Sequence, residues 1–182
     1  MKFQKFIVLL LFLTTGSLFA QNTDLLVKDI ISKSKIIKDN IDIYDNKITQ
    51  VLNESTEGGM ATAYCDKAEL KLIQIIWFGE IGKNIIEYYF DQDQLIFVST
   101  QDFNYNRPIY FDQKTPKNIV VNEVYDPDKT TVKENRFYFN NEKLFLWYNN
   151  DKQEIDITLE QNVIKGEKLL VDANRRKEAL KK

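Results

Sequence analysis

The chain has 182 residues, 25 basic and 27 acidic side chains and a net charge of −2, so no basic face suited to nucleic acid is implied. One cysteine and no histidine exclude an intrachain disulfide, Ser-His-Asp and Cys-His nucleophile systems, HExxH metal sites and every histidine-containing zinc site. Any catalysis would fall to carboxylates, lysine, tyrosine and arginine.

The first residues read as a secretory signal peptide. Lys2 and Lys5 precede an eight-residue apolar run, Phe6 to Leu13, and small residues lead to Ala20. That run is too short for a bilayer core, which needs about 20 residues. Cleavage after Ala20 is expected, leaving a single domain over 21–182 with no membrane span. Losing Lys2 and Lys5 leaves 23 basic against 27 acidic side chains, a net of −4.

From Thr23 to Leu52 apolar residues recur in steps of three and four: Val27, Ile30, Ile37, Ile41, Tyr44, Ile48 and Val51, with Ser34 in the polar slot. The spacing predicts one long helix, capped by Asn22 or Thr23. A second stripe through Leu26, Ile31, Ile36 and Ile43 widens the apolar face. The stripe suits packing on a sheet, and the seam also suits a contact between chains.

Strand chemistry follows. Glu69 to Phe78 reads ELKLIQIIWF, apolar on both faces, with Leu70, Leu72, Ile76 and Phe78 expected on one and Ile73, Ile75 and Trp77 on the other. EYYFDQDQLIFV (87–98) and RFYFNNEKLFLW (136–147) then match at an offset of 49. Each is an aromatic triplet, four polar residues and an apolar run, which predicts two similar β-hairpins. Neither central pair, Gln92-Asp93 or Asn141-Glu142, contains the glycine that the tightest turn prefers, so a longer loop is open in both. Strict alternation sends Tyr88, Phe90, Leu95, Phe97, Phe137, Phe139, Leu144 and Leu146 to one face. The other face holds Glu87, Tyr89, Ile96, Val98, Arg136, Tyr138, Phe145 and Trp147. That second face is either covered by a helix of the same chain or an exposed platform for a ligand or protein, since Tyr, Trp and Arg favour energetic contacts.

Asp112 to Thr130 is a long connection with two prolines, a length often associated with function. Just before it, Tyr105, Arg107, Pro108 and Tyr110 crowd together. This is either a binding loop or a strand end with rings lying on the sheet. Thr158 to Lys182 predicts a C-terminal helix, with Leu159, Val163, Leu170, Ala173 and Leu180 on its stripe and Gly166 interrupting it. The basic residues at its end suit a helix C-terminus.

No phosphate-cradling glycine loop, complete calcium loop or other cofactor motif is present. Cys65 reads as a small side chain packed in the interior or a reactive thiol. The Phe-Ala-Gln signal end, the Lys/Asn/Ile-rich composition and the YYFDQDQLIFV / FYFNNEKLFLW pattern resemble exported proteins of unknown function from Bacteroidetes-type bacteria. The repeated hairpin is also similar to MORN-variant repeats, which stack short aromatic hairpins. The resemblance covers Lys83 to Tyr148 and brings no catalytic residue with it.

The expected fold is α+β: a long N-terminal helix, an antiparallel sheet of about five strands built from two similar hairpins, and a C-terminal helix. The expected function is an exported, periplasmic or secreted, non-catalytic envelope protein that binds an envelope protein or small ligand. The candidate contacts are Tyr89, Tyr105, Arg107, Arg136, Tyr138 and Trp147. The alternatives are a carboxylate-dependent envelope hydrolase and a structural protein that oligomerises through the N-terminal helix.

Overall fold

The computed structural model describes residues 22–51, 54–111 and 123–180. The expected signal peptide, most of the long connection and the last two residues lie outside the described residues. The fold is α+β. Helix α1 (22–39) is followed by strands β1 (Asp45–Val51), β2 (Gly59–Asp66), β3 (Glu69–Gly79), β4 (Gly82–Asp91), β5 (Gln94–Asn104), β6 (Thr131–Asn140) and β7 (Lys143–Tyr148), then helix α2 (Glu160–Leu180). The seven strands form one antiparallel sheet in sequence order. No helix among the described residues is long and apolar enough to cross a membrane.

The sheet has two more strands than expected, and one comes from the predicted helix. Helix α1 stops at 39, where Asn40 places both its side-chain amide and its backbone N–H on the Ile36 carbonyl, at 2.8 and 3.2 Å. A single 3-10 turn, Ile41–Ile43, leads into β1. Spacing alone does not separate the two outcomes here. Ile41, Ile43, Ile48, Thr49 and Val51 are β-branched, which favours the pleated surface, and pairing with β2 satisfies the backbone. The predicted seam is therefore divided: Ile30 and Ile37 pack from α1 onto the sheet, whereas Ile48 and Val51 belong to β1. Of the second stripe, Ile31, Ile36 and Ile43 are exposed.

The two predicted hairpins are β4–β5 and β6–β7, and both turn in two residues. Gln92 and Asp93 have φ of 49° and 63°, and Asn141 and Glu142 have 48° and 59°. This is the type I′ geometry, whose twist matches the strands, reached without glycine. Left-handed backbone costs an ordinary residue roughly 1–2 kcal/mol, against the greater chain entropy that glycine loses on folding. Asp93→Gly and Glu142→Gly are each expected to stabilise the protein by about 0.5–1 kcal/mol, read as a higher urea midpoint at unchanged slope.

A bulge follows each turn. Tyr89 pairs with Phe97 and Phe90 with Leu95, so Ile96 is the extra residue; Tyr138 pairs with Leu146 and Phe139 with Leu144, so Phe145 is the extra residue. One inserted residue reverses every later side chain. Strict alternation is thus corrected at four positions. Phe97 and Leu146 join Tyr89 and Tyr138, while Val98 and Trp147 join Tyr88 and Phe137 on the opposite face. The β2–β3 hairpin repeats the device: Tyr64 pairs with Leu72 and Cys65 with Leu70, leaving Lys71 extra. The bulge also moves Leu70 to the face of Ile73 and Ile75. Tyr64-Cys-Asp…Leu70-Lys-Leu72 is a third copy of the pattern, with Cys65 in the place of a phenylalanine.

Helices cover both faces of the sheet. Tyr88, Phe90, Val98, Phe137 and Phe139 pack under Leu169 and Ala173 of α2. Gly166 is buried where α2 crosses β7, and a Cβ there would sit 2.9 Å from Leu144. The glycine that interrupts the sequence stripe is what permits the close approach. On the other face Leu72, Tyr89, Phe97, Tyr138 and Leu146 pack under Ile30 and Ile37 of α1.

Candidate functional site

The bulges and the antiparallel register build two parallel rows on the α1 face. The first is apolar and aromatic: Tyr64, Leu72, Tyr89, Phe97, Tyr138 and Leu146 stand opposite one another across six strands. The ring centroids of Tyr89 and Phe97 are 5.4 Å apart and those of Phe97 and Tyr138 5.1 Å. The adjacent row is polar: Thr62, Gln74, Glu87, Ser99 and Arg136, again directly opposite one another.

The middle of the polar row is a buried carboxylate. Glu87 is 7% exposed. Its Oε1 accepts from Gln74 Nε2 at 2.7 Å and from Lys38 Nζ, and its Oε2 accepts from Tyr89 OH at 2.7 Å. Burial works against the charge, but the Lys38, Tyr89 and Gln74 hydrogen bonds outweigh it and hold the carboxyl below the usual carboxylate range. Burial and the Glu87 carboxylate push the Tyr89 phenol up. Glu87 therefore serves as an ionised anchor for α1, assisted by Lys33, whose Nζ lies 2.8 Å from Asp91.

Beside the anchor lies a cleft of about 310 Å³ between the end of α1 and strands β4–β6, lined in part by Lys38, Glu87, Ser99, Glu134, Arg136 and Tyr138. A second groove of about 520 Å³ continues from Glu134, Arg136 and Tyr138 along Val27 and Ile31 towards Tyr148 and Asn149. Arg136 is the exposed group between them. Its Nε and Nη2 donate to Glu134 at 3.0 and 2.9 Å, and Ser99 Oγ donates to the same carboxylate at 3.3 Å. A planar guanidinium in this setting offers remaining donors to an incoming acceptor.

Three of the six sequence candidates meet here: Tyr89, Arg136 and Tyr138. Tyr89 and Tyr138 are 4% and 2% exposed, so they form the floor under α1 and Arg136 forms the rim. Trp147 lies on the α2 face, where it packs against Phe137 at a centroid distance of 4.8 Å and donates from Nε1 to Asn135 at 3.1 Å. Tyr105 and Arg107 are half-buried beyond the end of β5. Tyr105 N–H donates to the Ile81 carbonyl at 2.9 Å, and its ring meets Tyr125 edge-on at 5.4 Å. The strand thus ends before Pro108, with the Tyr105 ring packed against Tyr125 and the Tyr110 ring exposed.

Lys38, Gln74, Ser99 and Glu134 escaped sequence reasoning. A signal existed for the strand residues, because Gln74, Glu87, Ser99 and Arg136 are polar interruptions in largely apolar strands. Lys38 carried none; only the angle of α1 brings it to Glu87.

Cys65 is half-buried in a separate cleft of about 340 Å³ beside Asp45 and Leu180. Burial and the Asp45 carboxylate push its thiol up, which lowers the thiolate fraction. Among the described residues no group of three carboxylate or cysteine side chains is placed to hold a metal ion. No protein-family model, curated protein or solved structure matches this chain.

Proposed function

We propose that the chain is an exported, non-catalytic binding module of the cell envelope, and that its ligand seat is the cleft at the end of α1. The observation that carries the reading is the juxtaposition of an exposed guanidinium, a buried anchored carboxylate and two buried tyrosines beside two joined grooves. Concave, mostly preformed sites with a few placed polar groups are where small ligands and peptide segments bind. Export is supported by the basic start, the short apolar run and the small residues ending at Ala20. The third bulged hairpin supports the likeness to repeated aromatic hairpins.

A carboxylate hydrolase has less support. Glu87 and Glu134 line one cleft, but each is engaged by a cation. A glycosidase-type acid must hold its proton near neutral pH, and Glu87 is shifted the other way. The helix-mediated oligomer loses support because its seam is shared between α1 and β1.

Titration of the 15N-labelled protein with fractionated envelope extract tests the seat. Amide shifts are expected at Lys38, Ser99, Gln101, Glu134 and Arg136, and Arg136→Glu should abolish them while leaving the rest of the spectrum unchanged. Shifts confined to another surface, or identical shifts in the variant, would remove the cleft from the proposal.

A further inference from the structure

The two edges of the sheet are treated differently. Strand β7 is covered by the chain that follows it: Tyr148 pairs with Glu154, and the N–H of Ile155 donates to the Trp147 carbonyl at 2.9 Å. Strand β1 pairs with β2 on one side and has no described strand on the other. Six of its seven residues are exposed. Ile48, in the strand, and Ile43, just before it, are 60% and 78% exposed. An uncovered edge with apolar side chains is a template for pairing with another strand.

We infer that β1 pairs antiparallel with β1 of a second copy, about a twofold axis at Asn46, joining two seven-stranded sheets edge to edge. The charges of the strand select this register. With the axis perpendicular to the sheet, each side chain must face one on the same side of the layer, so the axis passes through a residue. Centred on Asn46, Asp45 stands opposite Lys47 of the other copy, twice. Ile48 likewise stands opposite Tyr44 of the other copy, twice, and Tyr44 is extended and half-buried against the α1 layer. Asp45 and Lys47 pair with Cys65 and Ala63, which places both on the α2 side; Ile48 pairs with Thr62, which places it on the α1 side. Centring on Lys47 would oppose two ammonium groups. Centring on Ile48 would set Asp45 against Val51, which is 6% exposed. Opposite charges across a strand pair stabilise it and like charges oppose it. The twofold makes the contact self-complementary and closed, as dimers of identical chains require. Lys47 also donates to the Leu180 carbonyl at 3.2 Å, an acceptor that leaves the ammonium two donors for the opposing carboxylate.

Sedimentation of the full chain over a concentration series tests the pairing. The wild type is expected to shift from monomer to dimer, and added salt should weaken the shift. Asp45→Lys and Lys47→Asp alone place like charges opposite one another and should each weaken association about tenfold or more. Mixing the two variants sets lysines against aspartates and should restore a heterodimer. Unchanged thermal unfolding of the single variants shows that any loss is not loss of fold. A wild type that remains monomeric at millimolar concentration would overturn the inference. So would single variants that associate like the wild type, or a mixture that stays monomeric.

Discussion

Phe137→Ala is expected to lower folding stability by about 3–5 kcal/mol, the range for removing a large buried aromatic side chain. Phe137 is 1% exposed at the centre of the α2 face. Val98 stands opposite it on one side and Trp147 on the other, so two walls of the cavity are strands whose positions are set by the sheet, and α2 closes it through Leu169 and Ala173. Little collapse is available to refill the space, which puts the cost high in its range. Its neighbour Arg136 points to the opposite face, and Arg136→Ala should cost no more than about 1 kcal/mol because its pair with Glu134 is exposed. Urea unfolding of both variants measures the contrast. A Phe137→Ala loss as small as that of Arg136→Ala would mean that the α2 face is not the enclosed one.

Glu87→Gln is expected to cost about 1–3 kcal/mol at neutral pH, because a buried acceptor that holds two neutral donors and Lys38 loses its charge. The pH dependence separates this from a simple packing defect. The folded-state carboxyl lies below its ordinary value, which is about 4.3 in an unfolded chain. Its contribution is therefore fully present above that value and is lost as the pH falls through the lower, folded-state value. The stability gap between wild type and Glu87→Gln should be flat from neutral pH down to about 5 and then close as acid is added. Lys38, Tyr89 and Gln74 donate to the carboxyl, and the Tyr89 phenol, pushed up by burial and by Glu87, stays neutral in that window. A gap that persists unchanged in strong acid would show that Glu87 does not fold as the ionised anchor of α1. Because α1 is the lid of the aromatic row, the same loss should raise amide exchange in 22–39 before it does so in β4–β6.

Much of the sheet was legible in local chemistry. The offset of 49 between the aromatic hairpins is visible without coordinates, and so is the polar turn at the centre of each copy. The side of the sheet reached by Tyr88, Phe90, Phe137 and Phe139 follows from alternation up to the turn. Beyond it the reading failed at Phe97, Val98, Leu146 and Trp147, because each bulge adds one residue and the sequence bears no glycine to mark it. The third copy was hidden by its composition. Ala63 and Cys65 replace two of the three aromatic residues, and Ala68 one of the four polar ones, that made the other two recognisable.

The candidate site was legible in its floor and rim but not in its lid. Tyr89, Arg136 and Tyr138 share a face by parity alone, and that parity holds because all three precede the bulges. Whether their face was open or covered depended on where an isoleucine-rich segment would dock. Spacing could not decide this, since the same residues suit a helix or a strand.

By itself the sequence determined the chemistry available, through the missing histidine and the single cysteine, and the alternation of strand and turn, through side-chain type and period. Tertiary structure decided the length of the first helix, the parity beyond each bulge and the pairing of Lys38 with Glu87. Those outcomes rest on free energies shared between segments far apart in the chain, where backbone hydrogen bonds and burial are satisfied only once the partner strand is in place.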